Sequence, residues 1–489
     1  MSRLDAAEGM KYHAQTGPGL YGKFCWAATL AIIIPATLCA LVATGWMYPL
    51  SALPGVAIAA AAFFLPQTVG AKLDWRLWLA GIAAVALLVR VACVLALPYV
   101  PSADFAVYHE AGRLMARAWT LGVVADEGAR SYRCFFPPGQ IFSLGILYRL
   151  FNESVLAAQL LNAVYGALTV VAVWHLCASL FGRRVARVAS ILAALMPSAV
   201  FGCVVIGAEV PSTFWLTAAV GFYLSARKGN RKAAAVLCGV CLGVAALIRP
   251  TIVLLPAVFA GAMLIGAADR RKAAWCAFIV LLGGAAVVLP WTLRNHQVTG
   301  GFILVSSNGG GNLYSANNDE AKGAYTASAW QYVFDSSPDD LTLQKTGFDM
   351  ATDWIARNPV RFCVLAVKKF SLFWGTDKDM AWWATVQPSL DNTRLDVPNW
   401  IGQLTQGASC GHYVVCLLAA AAGLWRLRRR LLADGQWTLF ALLLLYFTGL
   451  HMVFEAQGKY HFVLMPLMCL LAGLLTADRG RSDARMKGA

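Results

Sequence analysis

The sequence predicts an all-α polytopic membrane protein with about twelve transmembrane helices and two long non-cytoplasmic segments carrying amphipathic surface helices. Three observations lead there. The 489 residues are 59% hydrophobic and only 13% charged, with a mean hydropathy of +0.61, too apolar for a soluble chain of this length. Twelve apolar runs reach or approach the ~20 helical residues needed to cross a ~30 Å hydrocarbon core. The basic residues are distributed very unevenly among the segments joining those runs.

The runs fall near 24–46, 50–69, 77–97, 154–181, 188–205, 208–225, 233–248, 250–267, 274–290, 409–425, 437–455 and 459–476. The first is long enough to be a retained span, and residues 1–23 lack the pattern of a removed signal peptide. The pair 233–248 and 250–267 is short and divided only by Arg249 and Pro250. Loops "FGRRVAR", "ARKGNRK", "DRRK" and "RLRRR", with the amino terminus, "KLDWR" and the carboxyl tail, hold 23 of the 40 Lys+Arg against 7 acidic residues. On the other side, segments 98–153 and 291–408 hold 14 against 16. Cytoplasmic loops retain basic residues, so both termini are expected in the cytoplasm and the long segments outside. The formal charge of +15 is then a topology signal and calls for no nucleic acid. The expected organisation is a tail and two spans over 1–76, a transmembrane core over 77–290, a second outer segment over 291–408, and three spans with a cytoplasmic tail over 409–489.

Chemistry is expected outside, where the long segments are. "DFAVYHEAGRLMARAW" has helical spacing and reads as an interfacial helix. "FFPPGQIFSLGILYRLF" turns at Pro137, Pro138 and Gly139 into a second helix too short to span. "NPVRFCVLAVKKFSLFWG" reads as a surface helix, because counting it as a span would strand "RLRRR" outside. "GGFILVSSNGGGNLYSANNDE" begins strand-like and continues as a flexible turn. Of thirteen cysteines most lie in spans as packing residues, including the "CGVC" pair Cys238 and Cys241. Cys134, Cys363 and Cys410 lie on or near the outer side, where the sequence allows a disulfide without specifying one.

Asp104 stands about seven residues past a span, where a carboxylate stays ionised and still reaches a membrane-bound substrate. As a plain alternative, Ser102 or Asp104 caps the helix beginning near Phe105. Tyr108 is four residues on and shares its face, whereas His109 and Glu110 project elsewhere. Glu209, Arg249, Arg294, Glu455, Lys459 and His461 map to the outer ends of spans. Snorkelling accounts for the long side chains, but Glu209 and Glu455 are too short for it, so a polar cavity is expected. Arg90 and His175 lie deeper, with structural roles. Outer cations beneath a carboxylate suit a substrate with a phosphate head and a lipid tail, since Arg binds phosphate bidentately and Lys as a point charge.

Asp104 with Tyr108, then "FFPPGQIFSLGILYRLF", "LIRPTIVLLP", "PWTLRNHQVTGGFILVSSNGGGNLYSANND", "WIARNPVRFCVLAVKKFSLFWG" and "GKYHFVLMPLMCLLAG" occur in the order seen in the C-type integral membrane glycosyltransferases. Over residues 77–476 the chain is most similar to the bacterial branch related to protein O-mannosyltransferases and the lipid A aminoarabinose transferase. The resemblance implies an inverting transfer of a sugar from a polyprenyl phosphate carrier to a lipid, glycan or protein acceptor, at the periplasmic face of a bacterial inner membrane. It implies that Asp104 is the general base or an acceptor-orienting group, with Tyr108, Glu110, Glu209, Asn308, Asn312, Asn317 and Glu455 as acceptor- or sugar-binding residues. Arg133, Arg249, Arg294, Lys459 and His461 are the corresponding candidates for the carrier phosphate. Many relatives have a second acid directly after the first; here Phe105 stands there, and Glu110 is a candidate substitute. A divalent metal is left open and is not required. Residues 24–69 precede the matched part and look like an addition to the usual core. Two other readings remain: a flippase or transporter of lipid-linked sugars, disfavoured by the lack of an inverted repeat, and an oligosaccharide ligase with the same fold. A catalytically silent scaffold is a third.

Overall fold

The structure, a computed structural model, describes residues 20–68, 73–118, 133–229, 231–386, 397–428, 431 and 437–477. The chain runs through α1 (Leu20–Met47), α2 (Leu53–Thr68) and α3 (Trp75–Ala96) to α4 (Asp104–Ala118) and α5 (Pro138–Leu150) of the first of the two segments expected outside, called outer segments below. There follow α6 (Val155–Phe181), α7 (Arg183–Ala194), α8 (Pro197–Phe201), α9 (Glu209–Gly229), α10 (Lys232–Ile248), α11 (Leu255–Leu264) and α12 (Arg270–Thr299). The second outer segment holds α13 (Gly309–Ser315), α14 (Ala327–Asp335), α15 (Asp340–Arg357), α16 (Pro359–Gly375) and α17 (Asp379–Thr385). Then come α18 (Asn399–Arg426), α19 (Thr438–Val453), a 3-10 segment Gly458–Leu464 and α20 (Met465–Gly473).

The described residues are 81% helical, and no strand occurs among them. Among the described residues, six helical stretches are long and apolar enough to cross a membrane: Gly22–Met47, Trp75–Ala96, Val155–Phe181, Arg270–Thr299, Asn399–Arg426 and Gly458–Thr476. Four shorter apolar helices stand among them. This is a multi-pass membrane protein. The unbroken span expected over 188–205 is absent: α7 ends at Ala194, Pro197 starts the short α8, and the backbone bends on to Glu209. Arg90 supplies the reason. Its guanidinium donates to the carbonyls of Ala193 and Ala194 at 3.1 and 2.9 Å, satisfying acceptors that a broken helix leaves without partners in an apolar layer.

The strand-like and flexible reading of 300–320 also gives way. The segment forms bends and then α13, whose glycines let it lie directly on α15: a Cβ on Gly310 would collide with the carbonyl of Gln344, and one on Gly347 with Gly310 itself. Close helix approach through small residues recurs in the spans. In "CGVC", Cys238 and Cys241 are buried, and intervening Gly239 leaves no room for a Cβ beside Val280 of α12. All thirteen cysteines are free, so the disulfide left open among Cys134, Cys363 and Cys410 is not formed.

α1 and α2 pack along α18, and α1 also along α16 and α19. Gly55 approaches the backbone at Ala408 and Gly411 approaches Ala52 too closely for any side chain, while Tyr48 donates to Gln406 at 2.9 Å. The two outer segments interlock through buried Asp340, which accepts from the backbone N–H groups of Arg133 and Cys134 at 2.6 and 3.1 Å and from the Ser307 hydroxyl at 2.6 Å. At the far ends of the helices Arg187 donates to Leu73 O, Arg227 to Ile265 O and Lys228 to Ser179 O at 2.8–2.9 Å. Basic side chains thus close one end of the bundle and the outer segments cover the other.

Candidate functional site

The candidate site lies where α4, α9, α10 and α19 end beneath the outer segments. Ala103 has φ +48°, a left-handed conformation that costs a non-glycine residue energy. It turns the chain from the extended 98–102 into α4, whose first residue is Asp104. The carboxylate there is exposed and accepts no hydrogen bond among the described residues. Its helix is closed instead by Ser102 O, which accepts from Phe105 N and Ala106 N, so the capping alternative for Asp104 does not hold.

Phe105, where the resemblance implies a second acid, is buried and meets Trp383 edge-on with ring centres 5.0 Å apart. It also borders Gly207, on which a Cβ would lie 2.7 Å from the Phe105 ring and collide with Glu209 Oε2. An acid at position 105 would stand buried beside Glu209, and the aromatic ring avoids that. Glu110 does not replace it: it pairs with Arg113 at 2.9 Å on the exposed side of α4, away from Asp104.

Arg249 ends α10, where its extended backbone and the following Pro250 stop the helix. It is 9% exposed, with its guanidinium 5.1 Å from the centre of the Tyr460 ring. Glu209 Oε1 is 3.5 Å from Arg249 Nη1. That contact is electrostatic rather than a hydrogen bond, for Nη1 is buried and has no hydrogen-bond acceptor. A cation at a helix C-terminus and a carboxylate at a helix N-terminus each also have the favourable dipole sign.

Lys459 stands over the other half of this group, its Nζ 5.5 Å from the Tyr460 ring centre and 5.8 Å from that of Trp383. Its backbone N–H donates to Asp379 at 2.8 Å, and Gly458 fits against Thr376 O only because it lacks a side chain. The segment "TDKD", 376–379, therefore holds the "GKYHF" turn in place. Glu455 accepts from the Tyr460 hydroxyl through one oxygen, while its second oxygen is buried with no partner. Burial pushes the Glu455 carboxyl above its ordinary range; the Tyr460 hydrogen bond, Lys459 and Arg249 oppose that shift, and Asp104 adds to it. Tyr108 is held protonated first by burial, then by the charges of Asp104 and Glu209, with Arg249 opposing. Tyr325 is pushed up to about 12 by burial and by the charges of Asp104 and Glu455. These mutual influences bring Asp104, Tyr108, Glu209, Arg249, Glu455 and Lys459 into one group.

Other candidates stand elsewhere. His461 is fully buried, its Nε2 3.3 Å from Asp377, with its ring stacked on Tyr413. It braces the turn from behind and offers nothing to a ligand. Asn317 is equally buried; its amide donates to Leu313 O and Val453 O at 2.8 and 2.9 Å, and its oxygen accepts from Lys369 at 2.8 Å. Asn308 accepts from Ser306, and the Asn312 carbonyl accepts from Ser315, both within the turn of α13. Arg294 donates to Arg133 O at 2.9 Å and covers Trp291 at 4.6 Å, so Arg133 and Arg294 belong to the junction with Asp340. Sequence reasoning missed Lys369, fully buried and donating also to Val453 O at 2.8 Å. Burial holds its amine down at about 8, and the nearby Glu455 opposes that shift. The only signal for it was a lysine pair inside an apolar helix.

A small, largely apolar cavity of about 30 Å³ is lined by Arg90, Gly166, Val210, Phe462 and Pro466. Among the described residues no cluster of three or more metal-ligating side chains occurs.

Residues 136–293 match the family described as dolichyl-phosphate-mannose-protein mannosyltransferase. The chain overlays the Archaeoglobus fulgidus oligosaccharyltransferase, solved with a tethered acceptor peptide containing the NVT sequon, with a TM-score of 0.50 and 16% identity. The match covers 81% of this chain and 49% of the archaeal protein, so the chain spans about half its length. The fold is that of the C-type integral membrane glycosyltransferases. ArnT from Cupriavidus metallidurans bound to undecaprenyl phosphate also matches, with a TM-score of 0.39, 14% identity, and coverage of 84% of this chain and 80% of that one. No curated protein matches the sequence. In this C-type fold the matched family segment contains α5 through α11 and most of α12, and so includes Glu209 and Arg249.

Proposed function

We propose that the protein is an inverting glycosyltransferase that moves a sugar from a polyprenyl phosphate carrier to a lipid, glycan or protein acceptor at the periplasmic face of a bacterial inner membrane. The observation that carries this reading is Arg249: a buried guanidinium with an unoccupied donor, set against the Tyr460 ring and in the same electrostatic group as the exposed carboxylate of Asp104. Such a donor suits a phosphate.

In this mechanism Arg249 and Lys459, both set against Tyr460, hold the carrier phosphate and stabilise the charge that builds on it as the bond to the anomeric carbon breaks. The acceptor hydroxyl or amine attacks from the opposite face, and its proton passes to Asp104. The phosphate leaves with the bonding pair and needs no acid. Glu455 and Tyr108 lie close enough to orient the sugar or acceptor.

Purified protein given a radiolabelled sugar on polyprenyl phosphate and an envelope extract is expected to transfer the label. The Asp104→Asn variant should lose transfer while still binding the carrier. Full activity in Asp104→Asn would sink the assignment, and movement of the intact donor between leaflets without chemical change would favour a flippase. Mass spectrometry of envelope lipids, glycans and glycoproteins with and without the gene would name sugar and acceptor together.

A further inference from the structure

Glu209 sits oddly for a sugar ligand. Its carboxylate is buried, one oxygen against Gly207 and Phe105 and the other 3.5 Å from Arg249. The Gly207 backbone lies against that oxygen with the Phe105 ring nearby, and the carboxylate stands next to whatever binds Arg249. Yet it does not saturate Arg249, whose Nη1 keeps a hydrogen bond to give. A phosphate oxygen can therefore take Nη1 without breaking a hydrogen bond, but must then lie beside a negative charge.

Both the donor and the spent carrier have a phosphate, and they differ in charge. A sugar phosphodiester has one negative charge; the monoester left after transfer has about −1.5 to −2 near neutral pH. The ionisable groups around the site are the cations Arg249, Lys459 and, near Glu455, Lys369, and the carboxylates Asp104, Glu209, Asp379 and Glu455, the last favoured in its protonated form by burial, so the cations are already balanced before a phosphate arrives.

We propose that Glu209 is a specificity-determining anion that lets Arg249 accept the singly charged donor and penalises the doubly charged product, so that the spent carrier leaves. The proposal rests on the carrier-binding reading of Arg249 and assigns Glu209 to charge discrimination instead of sugar contact. In a partly buried site, one further charge a few ångströms from a carboxylate is worth roughly tenfold in affinity. The same repulsion disfavours any carrier with a second phosphate, such as a diphosphate-linked oligosaccharide, unless an added cation offsets it.

The test is direct binding of two probes to full-length protein in detergent, by calorimetry: undecaprenyl monophosphate and its monomethyl ester. Wild-type protein should favour the methyl diester at pH 8. Glu209→Gln should tighten the monoester about tenfold and the diester by less than about threefold. Glu209→Asp, which keeps the charge, should retain the wild-type order. Equal effects on both probes in Glu209→Gln, or weaker monoester binding, would overturn the proposal. A wild-type preference for the monoester would overturn it without any variant. If wild-type protein binds neither probe, the carrier-binding reading fails and takes this inference with it.

Discussion

Glu455 meets a different environment in the folded and the unfolded chain. Its carboxyl is buried and raised, so the folded state holds the proton more tightly than the unfolded state does. The stability this provides is complete below the unfolded pKa and is lost as pH rises through the folded one. Glu455→Gln should therefore gain in melting temperature relative to wild type as pH rises from about 4 towards 8; a pH-independent difference would refute the environment described. Arg249→Lys keeps the charge but loses the planar donors set against Tyr460. It should cost about 1.5–3 kcal/mol of carrier-phosphate affinity, roughly ten- to a hundredfold, measured by binding of polyprenyl phosphate. Residues of this kind were legible because a short charged side chain at the outer end of an apolar run has few bland explanations. His461 and Asn317 had the same address in the sequence but are fully buried, and neither motif nor spacing reports burial. Asp377, Asp379 and Lys369 escaped notice because their partners lie 52 to 84 residues away in the chain.

Among the elements, the apolar runs gave most helices to within a few residues. The exception over 188–205 shows what hydropathy misses: Pro197 sits inside a continuous apolar run, and the arginine that makes the break tolerable comes from α3. Glycine-rich 309–311 misled for the opposite reason. Its glycines serve a helix crossing and not a loop, and only the partner Gly347 reveals it. Gly310→Ala should force α13 off α15, and such overpacking costs about 1–3 kcal/mol. A lowered melting temperature, with carrier affinity reduced less than in Arg249→Lys, is the expected outcome. No change in stability would mean that the two helices are not in contact.

For the whole molecule, the asymmetry of charge predicts an orientation. Arg187, Arg227 and Lys228 hold carbonyls at one end, whereas the residues around Asp104 lie at the other. A cysteine placed at exposed Asp353 of α15, in a Cys363→Ser background, should react with a membrane-impermeant maleimide from the periplasmic side. Labelling only after the inner membrane is opened would reverse the orientation. Overall architecture was legible because lipid allows a narrow set of solutions: every backbone group must be paired internally, so long apolar runs become helices.

The clasp between the first helices and α18 sets a problem in assembly. Tyr48 and Gln406 meet across 358 residues, and Gly55 meets Ala408 across a similar distance. During synthesis the early pair enters the bilayer long before the surface it matches exists, and at about 5–20 residues per second that interval is tens of seconds. For that time the bare glycine face must stay in lipid or against the insertion machinery without pairing elsewhere. A fault late in the chain therefore exposes its very beginning.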